Sequence, residues 1–97
     1  MRTRDIRRIL DEGRAIHGER VVVFLAPGED RVAVIAGRKV GKAVQRNRAR
    51  RVLRMAWRDV RAQVAGDDVV LVARASIAGA RSPEVATEIR ALLGGAR

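Results

Sequence analysis

The fold is decided by residues 34–54, VIAGRKVGKAVQRNRARRVLR, where the spacing of apolar residues changes from that of a strand to that of a helix. The run at residues 32–36 is continuously apolar and ends at Gly37, which predicts a β-strand. From residue 43 to about residue 64, apolar residues recur at helical spacing, which predicts one long helix. The predicted core therefore combines a sheet with helices.

The long helix is predicted to have one apolar face and one basic face. Residues advance by about 100° around a helix axis, so residues three and four apart share a face. We expect the apolar face to pack, with Trp57 at its edge partly in the core. The apolar face holds Ala49, Val52, Leu53, Ala56, Trp57, Val60 and Val64, and the basic face holds Arg50, Arg54, Arg58 and Arg61.

Upstream of this helix the sequence predicts one helix and three strands. Thr3 is placed to cap a first helix that ends at Gly13. A short edge strand is expected at residues 15–16, and the apolar run at residues 21–25 predicts a second strand. A turn at residues 27–30 then predicts that this run and the strand before Gly37 form an antiparallel hairpin.

Downstream, the sequence predicts one strand and one helix. A Gly-Asp-Asp turn at residues 66–68 ends the long helix, and the apolar run at residues 69–73 predicts a central strand. Ser82 is placed to cap a last helix that ends at Gly94. The whole chain, residues 1–97, is predicted to be a single domain of α+β class, a single-sheet sandwich of order α-β-β-β-α-β-α.

Positive charge dominates the composition. The 97 residues include 21 Lys and Arg against 11 Asp and Glu, for a net charge of +10. Ten of these cations and one acid, Asp59, fall between Arg38 and Arg61. A charge run of mixed sign is usually a solvated helix face, but these charges are nearly all of one sign and repel each other at i, i+4 spacing. A polyanion is therefore the predicted partner, and the preference for Arg over Lys favours structured nucleic acid.

Composition also excludes several kinds of active site. The chain has no cysteine and one histidine, His17, so it cannot form a disulfide, a thiolate metal site or a paired-histidine catalytic site. Asp67 and Asp68 are interpreted as a solvated turn, with Mg²⁺ binding as the less favoured alternative. No catalytic residue and no metal site are expected in the protein. The first residues lack a continuous apolar run, which predicts a cytoplasmic protein without a signal peptide or membrane span.

The order of residues in 34–54 resembles that of the bacterial ribonuclease P protein subunit family. The shared features are a basic pair, Val-Gly, a basic residue, Ala-Val, then Arg-Asn-Arg and Arg-Arg, here between Arg38 and Arg51. Residues 5–10 and 68–74 resemble the family's first helix and later strand. The resemblance implies a left-handed β-α-β crossover, although such crossovers are generally right-handed. It also implies that a partner RNA, with Mg²⁺ in the holoenzyme, cuts precursor tRNA to form the mature 5′ end.

The resemblance assigns two sets of RNA contacts to this chain. A cleft between the first helix and the sheet would hold the single-stranded leader of precursor tRNA, lined here by Ile6, Leu10 and Phe24. Family members usually line this cleft with aromatic residues, so weaker or more electrostatic leader binding is expected. The surface facing the catalytic RNA would consist of Arg38, Lys39, Lys42, Arg46, Asn47, Arg48, Arg50, Arg51, Arg54 and Arg58.

Two other functions would use the same basic helix. A structural or ribosome-associated RNA-binding protein would need that helix but would have no role in tRNA processing. A DNA-binding helix-turn-helix protein is less favoured, because the basic helix lies between strands instead of following another helix across a short turn. The leading hypothesis is the protein subunit of a ribonucleoprotein endoribonuclease, monomeric in the absence of RNA.

Overall fold

The computed structural model describes residues 1–95 and has the predicted order of elements, α-β-β-β-α-β-α. The helices are α1 (Thr3–Glu12), α2 (Ala43–Val60) and α3 (Ser82–Gly95), and the strands are β1 (Arg14–His17), β2 (Val21–Pro27), β3 (Val32–Ile35) and β4 (Asp67–Ala73). Short 3₁₀ turns occupy Arg38–Val40, Arg61–Val64 and Ala75–Ile77. The α+β class is confirmed. The extent of the domain, residues 1–97, stays a prediction, since residues 96 and 97 lie outside the described residues.

The four strands form one mixed sheet in the order β1-β2-β4-β3. β1 pairs antiparallel with β2, β2 pairs antiparallel with β4, and β3 pairs parallel with β4. The strand predicted to be central, β4, is an inner strand, and its Val69, Val70 and Leu71 are all 0% exposed. The strand predicted at the edge, β1, is an edge strand. The positions of these two strands are confirmed.

The predicted hairpin between β2 and β3 is wrong, because β4 lies between them. A strand that is apolar on both faces belongs inside a sheet, and β4 is such a strand. The connection at residues 28–31 must therefore span two strand spacings, roughly 10 Å, instead of closing a tight turn. It passes over the start of β4, where the N–H groups of Glu29 and Arg31 donate to Asp68 at 2.9 and 3.1 Å. The parallel pair β3 and β4 is joined through α2, and the left-handed sense of this crossover stays a prediction.

Helices cover both faces of the sheet. α2 and α3 pack on the face to which Val23 and Leu71 point. α1 packs on the other face, where its Ile9 contacts a smaller cluster that includes Val70. All seven residues predicted for the apolar face of α2 are buried, including Trp57 at 7% exposed. The periodicity that predicted α2 is therefore confirmed, and this helix supplies much of the larger core.

Two predicted helix caps are wrong by one residue. The carbonyl of Arg2 already accepts helical N–H groups at 3.0 and 3.1 Å, so Thr3 is the first helical residue and not the cap. α3 begins at Ser82 for the same reason, since the carbonyl of Arg81 accepts the N–H of Val85 at 3.2 Å. In both helices the residue before the hydroxyl residue is an arginine. This arginine occupies the N-cap position that was predicted for Thr3 in α1 and for Ser82 in α3.

Candidate nucleic-acid interface

The basic residues predicted to contact RNA begin in the 3₁₀ turn Arg38–Val40 and continue along α2. Val40 is buried and holds this turn on the core, while the two cations before it are exposed. Gly41 follows with φ = +137°, and a Cβ there would lie 2.0 Å from Oε1 of Gln45. Glycine is therefore required for Gln45 to fold back and accept the N–H of Lys42 at 2.7 Å. This bond begins α2 directly after the bend, so the turn and the helix form one basic surface.

The ten predicted RNA-facing residues lie together on what we name the cationic surface. α2 turns its packed side toward the sheet and α3, so its opposite side is open to solvent along its whole length. Arg46 and Arg50 lie at the border with the packed side and are half-buried, whereas the other eight are exposed. The cationic surface comprises Arg38, Lys39, Lys42, Arg46, Asn47, Arg48, Arg50, Arg51, Arg54 and Arg58.

The protein's own carboxylates do not neutralise the cationic surface. Within residues 1–95 the salt bridges are made by three arginines outside it, Arg8, Arg20 and Arg31. Arg48 donates to the carbonyl of Ala80 at 3.3 Å. Arg50 donates to the side-chain oxygen of Asn47. Neither contact removes charge, so the surface offers its positive charge to a partner.

The three residues predicted to line a leader cleft come together on the opposite face of the sheet. Ile6 and Leu10 of α1 and Phe24 of β2 are half-buried. All three pack against the same small cluster around Ile9 and Val70. These three residues therefore lie where α1 meets the sheet, which is the place at which the resemblance puts the leader cleft.

Beyond α1, the same face of the sheet is only partly covered. The strand register places His17, Val22, Val72 and Ile35 side by side in one row. Val22 lies two residues from Phe24 on β2, so this row shares the face of the cleft. His17 is exposed, and the other three are half-buried. Sequence reasoning missed this row because its members come from four strands that only the register brings together.

Asp68 is a buried charge that sequence reasoning also missed. The prediction of a solvated turn is wrong for this residue, which is 0% exposed. Its carboxylate accepts a hydrogen bond from Nη2 of Arg31 at 2.7 Å and lies 3.8 Å from Nη2 of Arg8 on α1. The Arg31 hydrogen bond, helped by the backbone N–H groups of Glu29 and Arg31, lowers the pKa of Asp68 to about 2 against the opposing effect of burial. Asp68 therefore links α1, the loop before β3 and the start of β4.

No pattern along the sequence marks Asp68 as buried, since its partner Arg31 lies 37 residues earlier. Gly28, although far from Asp68 in the sequence, lies close to its carboxylate in the fold. A Cβ on Gly28 would lie 2.2 Å from the carboxyl carbon of Asp68, so a side chain at this position would collide with the carboxylate. The Pro-Gly turn thus requires glycine for close approach, which its sequence alone does not reveal.

The remaining polar groups offer no assembled metal site. Within residues 1–95, no three or more His, Cys, Asp or Glu side chains group closely enough to hold a metal ion. His17 is exposed on the edge strand, and the hydroxyl of Ser76 donates to the carbonyl of Glu19. No helix in this part of the chain is both long enough and apolar enough to cross a membrane. The arrangement is suited to binding, through an array of guanidinium groups and an apolar sheet face.

Comparison with known proteins supports the resemblance seen in the sequence. The chain matches the family model described as Ribonuclease P over residues 1–97. It is 35% identical over 71 residues to a ribonuclease P protein component of Coprothermobacter proteolyticus, covering 72% of this chain and 60% of that protein. It is 35% identical over 99 residues to one of Dehalococcoides mccartyi, covering 99% and 82%. The solved RNase P protein from Thermotoga maritima superposes with a TM-score of 0.81 at 27% identity, covering 96% of this chain and 93% of that chain. The chain therefore belongs to the ribonuclease P protein family.

Proposed function

We propose that this chain is the protein subunit of a ribonuclease P whose partner RNA cuts precursor tRNA at the mature 5′ end. One observation carries the proposal: the cationic surface is exposed, and within residues 1–95 no carboxylate forms a salt bridge with it. Such a surface is stabilised when a polyanion neutralises it. Membership of the ribonuclease P family makes the catalytic RNA the polyanion that fits best.

The cationic surface binds the catalytic RNA mainly through phosphates. Arg51, Arg54 and Arg58 are exposed on α2, and each guanidinium can hold two phosphate oxygens. Each phosphate that is neutralised releases counterions, which favours binding. Arg54 and Arg58 are four residues apart and repel each other in the free protein, so binding also relieves this repulsion.

The groove of Ile6, Leu10 and Phe24 binds the single-stranded 5′ leader of precursor tRNA. Unpaired bases expose flat apolar faces, which pack on the half-buried side chains of α1 and the sheet. Stacking on an aromatic side chain contributes roughly 1 to 3 kcal/mol per base. Phe24 is the one phenylalanine of the chain, so aliphatic contacts and nearby charges carry more of the leader binding here.

The protein contributes binding to the reaction, and the RNA contributes the groups that cleave the bond. The only buried carboxylate within residues 1–95, that of Asp68, is held by arginine, and these residues form no cluster of metal ligands. We therefore assign the Mg²⁺ of the holoenzyme to RNA phosphates. The protein supports the reaction by reducing repulsion between phosphates of the catalytic RNA and the substrate. We place the free protein in the cytoplasm as a monomer.

Reconstitution with the cognate catalytic RNA tests this function. We expect the protein to lower the Mg²⁺ concentration at which the RNA processes precursor tRNA, because arginines replace part of the screening that Mg²⁺ provides. A precursor whose leader is shortened to one nucleotide is the matched substrate control and should benefit less. An unchanged Mg²⁺ requirement with the full-length leader would contradict the proposal.

Crosslinking to total cellular RNA separates this function from that of a structural RNA-binding protein. Recovery of the catalytic RNA together with precursor tRNA is the expected result. Recovery of ribosomal RNA alone would favour the structural alternative, since both functions would use the same cationic surface.

A further inference from the structure

A small apolar cavity opens within the cationic surface. It lies where the 3₁₀ turn before α2 meets the 3₁₀ turn after β4, and its volume is about 220 Å³. Its floor is formed by Val40, Ala49 and Ile77, which are 7%, 4% and 2% exposed. The other lining residues are Gln45, Arg48, Ala78 and Gly79.

Two polar side chains at the rim are held by the backbone. The guanidinium of Arg48 donates to the carbonyl of Ala80 at 3.3 Å. The amide oxygen of Gln45 accepts the N–H of Lys42 at 2.7 Å. The guanidinium still has further N–H donors, and the Gln45 amide still has its NH₂ group. The rim therefore presents hydrogen-bond donors in fixed positions above an apolar floor.

We propose that this cavity takes one unstacked nucleobase of the partner RNA. The proposal rests on the proposed function, because the RNA must dock on the cationic surface for a base to reach the cavity. Clefts that hold drug-sized ligands have roughly 300 to 1,000 Å³, so a smaller cavity suits a single flat heterocycle. The floor contacts the ring, while Gln45 and Arg48 donate to acceptor atoms on its edge.

The charges around the cavity favour an anionic partner, and its apolar floor favours a base over a free phosphate. The lining includes one cation, Arg48, and no carboxylate, and Lys42 stands beside it on the same surface. A phosphate that entered would lose its water against an apolar floor, which is unfavourable. A base presents an apolar face to the floor, and its flanking phosphates remain outside beside Lys42 and Arg48.

A substitution at the mouth of the cavity tests the proposal. Ala78 is exposed with φ = −56° and ψ = 129°, a conformation that any side chain adopts, so Ala78→Leu narrows the mouth without straining the backbone. We expect roughly tenfold weaker binding to the cognate catalytic RNA, because the base then loses the apolar contact that the floor provides. The salt dependence of binding should not change, because the phosphate contacts remain. Ala91→Leu, at an exposed position of α3, is the matched control and should bind like the parent protein.

A direct measurement uses the methyl group of Ile77 at the floor of the cavity. In methyl-labelled protein, with the signal assigned through Ile77→Val, a base seated over this floor should move the Ile77 methyl proton resonance upfield when the catalytic RNA is added. Ala78→Leu should abolish that movement. Suppose that the parent protein binds RNA with steep salt dependence, but the Ile77 resonance does not move and the Ala78→Leu variant binds equally well. The cavity proposal is then wrong, and the proposed function stands. If the parent protein does not bind the RNA, both fail.

Discussion

At Asp68, three separated parts of the chain meet. β4 supplies the carboxylate, the loop before β3 supplies Arg31 and backbone N–H groups, and α1 supplies Arg8. Burying a carboxylate is costly unless it is paired and hydrogen-bonded, and here it is both. This one residue therefore helps to place the loop over β4 and α1 against the sheet. Asp68 thus supports the region between α1 and the sheet, where we propose that the leader binds.

We predict that Asp68 stabilises the fold in a pH-dependent manner. Its pKa falls from an ordinary value of 3.8 to about 2 in the folded protein, so its ionised form favours folding by about 2 kcal/mol at neutral pH. This contribution is complete above pH ~4 and is lost as the pH falls through about 2. Asp68→Asn should therefore lower the free energy of unfolding by about 2 kcal/mol at pH 7, and the difference should shrink toward pH 2. Urea unfolding across this pH range measures it.

The control for Asp68 is Asp11→Asn, at an exposed position on α1, which should change the free energy of unfolding much less. A difference between the Asp68→Asn variant and the parent protein that is as large at pH 2 as at pH 7 would show that the stabilisation does not come from the ionised carboxylate.

At the scale of the element, α2 combines core packing with charge. Residues such as Leu53 and Val60 are at most 1% exposed, and burying an aliphatic side chain of this size contributes roughly 1.5 to 3 kcal/mol. Each pair of like charges four residues apart costs only about 0.2 to 0.5 kcal/mol. Packing on one side of the helix therefore outweighs repulsion on the other. Packing can therefore hold α2 folded although, within residues 1–95, no carboxylate forms a salt bridge with its basic side.

Removing single guanidinium groups from α2 should weaken RNA binding without changing the fold. Arg51 and Arg54 are exposed, and neither forms a salt bridge within residues 1–95. Arg51→Ala and Arg54→Ala should each cost ~1 to 3 kcal/mol of affinity for the catalytic RNA. Arg90→Ala, at an exposed position of α3, is the matched control and should retain full affinity. Filter binding measures the affinity, and circular dichroism checks that the fold is intact. Full affinity in both α2 variants would mean that the RNA contacts lie elsewhere.

At the scale of the whole molecule, the fold could be predicted where the relevant contacts are local. α2 was predictable because its apolar residues repeat over 18 residues, and β4 because it is one uninterrupted apolar run. The order of the strands was not predictable. The turn between β2 and β3 resembles that of a hairpin, and only long-range pairing puts β4 between these two strands. Burial of Asp68 depends on a partner 37 residues away, which no local pattern contains.

Part of the candidate site could likewise be predicted from the sequence, and part of it could not. The cationic surface could be predicted because its residues lie on consecutive turns of one helix and in the bend that precedes this helix. The grouping of Phe24 with Ile6 and Leu10 was expected only from the family resemblance, and the row of Val22, Val72 and Ile35 is visible only in the strand register. The cavity at Ile77 could not be predicted, because its floor joins two turns that lie far apart in the sequence.

We propose that the cationic surface along α2 neutralises phosphates of a folded RNA, and the salt dependence of binding is the sharpest test of this claim. The affinity of the protein for the cognate catalytic RNA should be measured by filter binding over a series of monovalent salt concentrations at fixed Mg²⁺. We predict that log affinity falls linearly with log salt concentration, by roughly 0.7 to 0.9 for each neutralised phosphate, and that Arg51→Ala and Arg54→Ala each reduce the slope by about 1. An affinity that does not change with salt, or slopes that are equal in the parent protein and both variants, would contradict the claim.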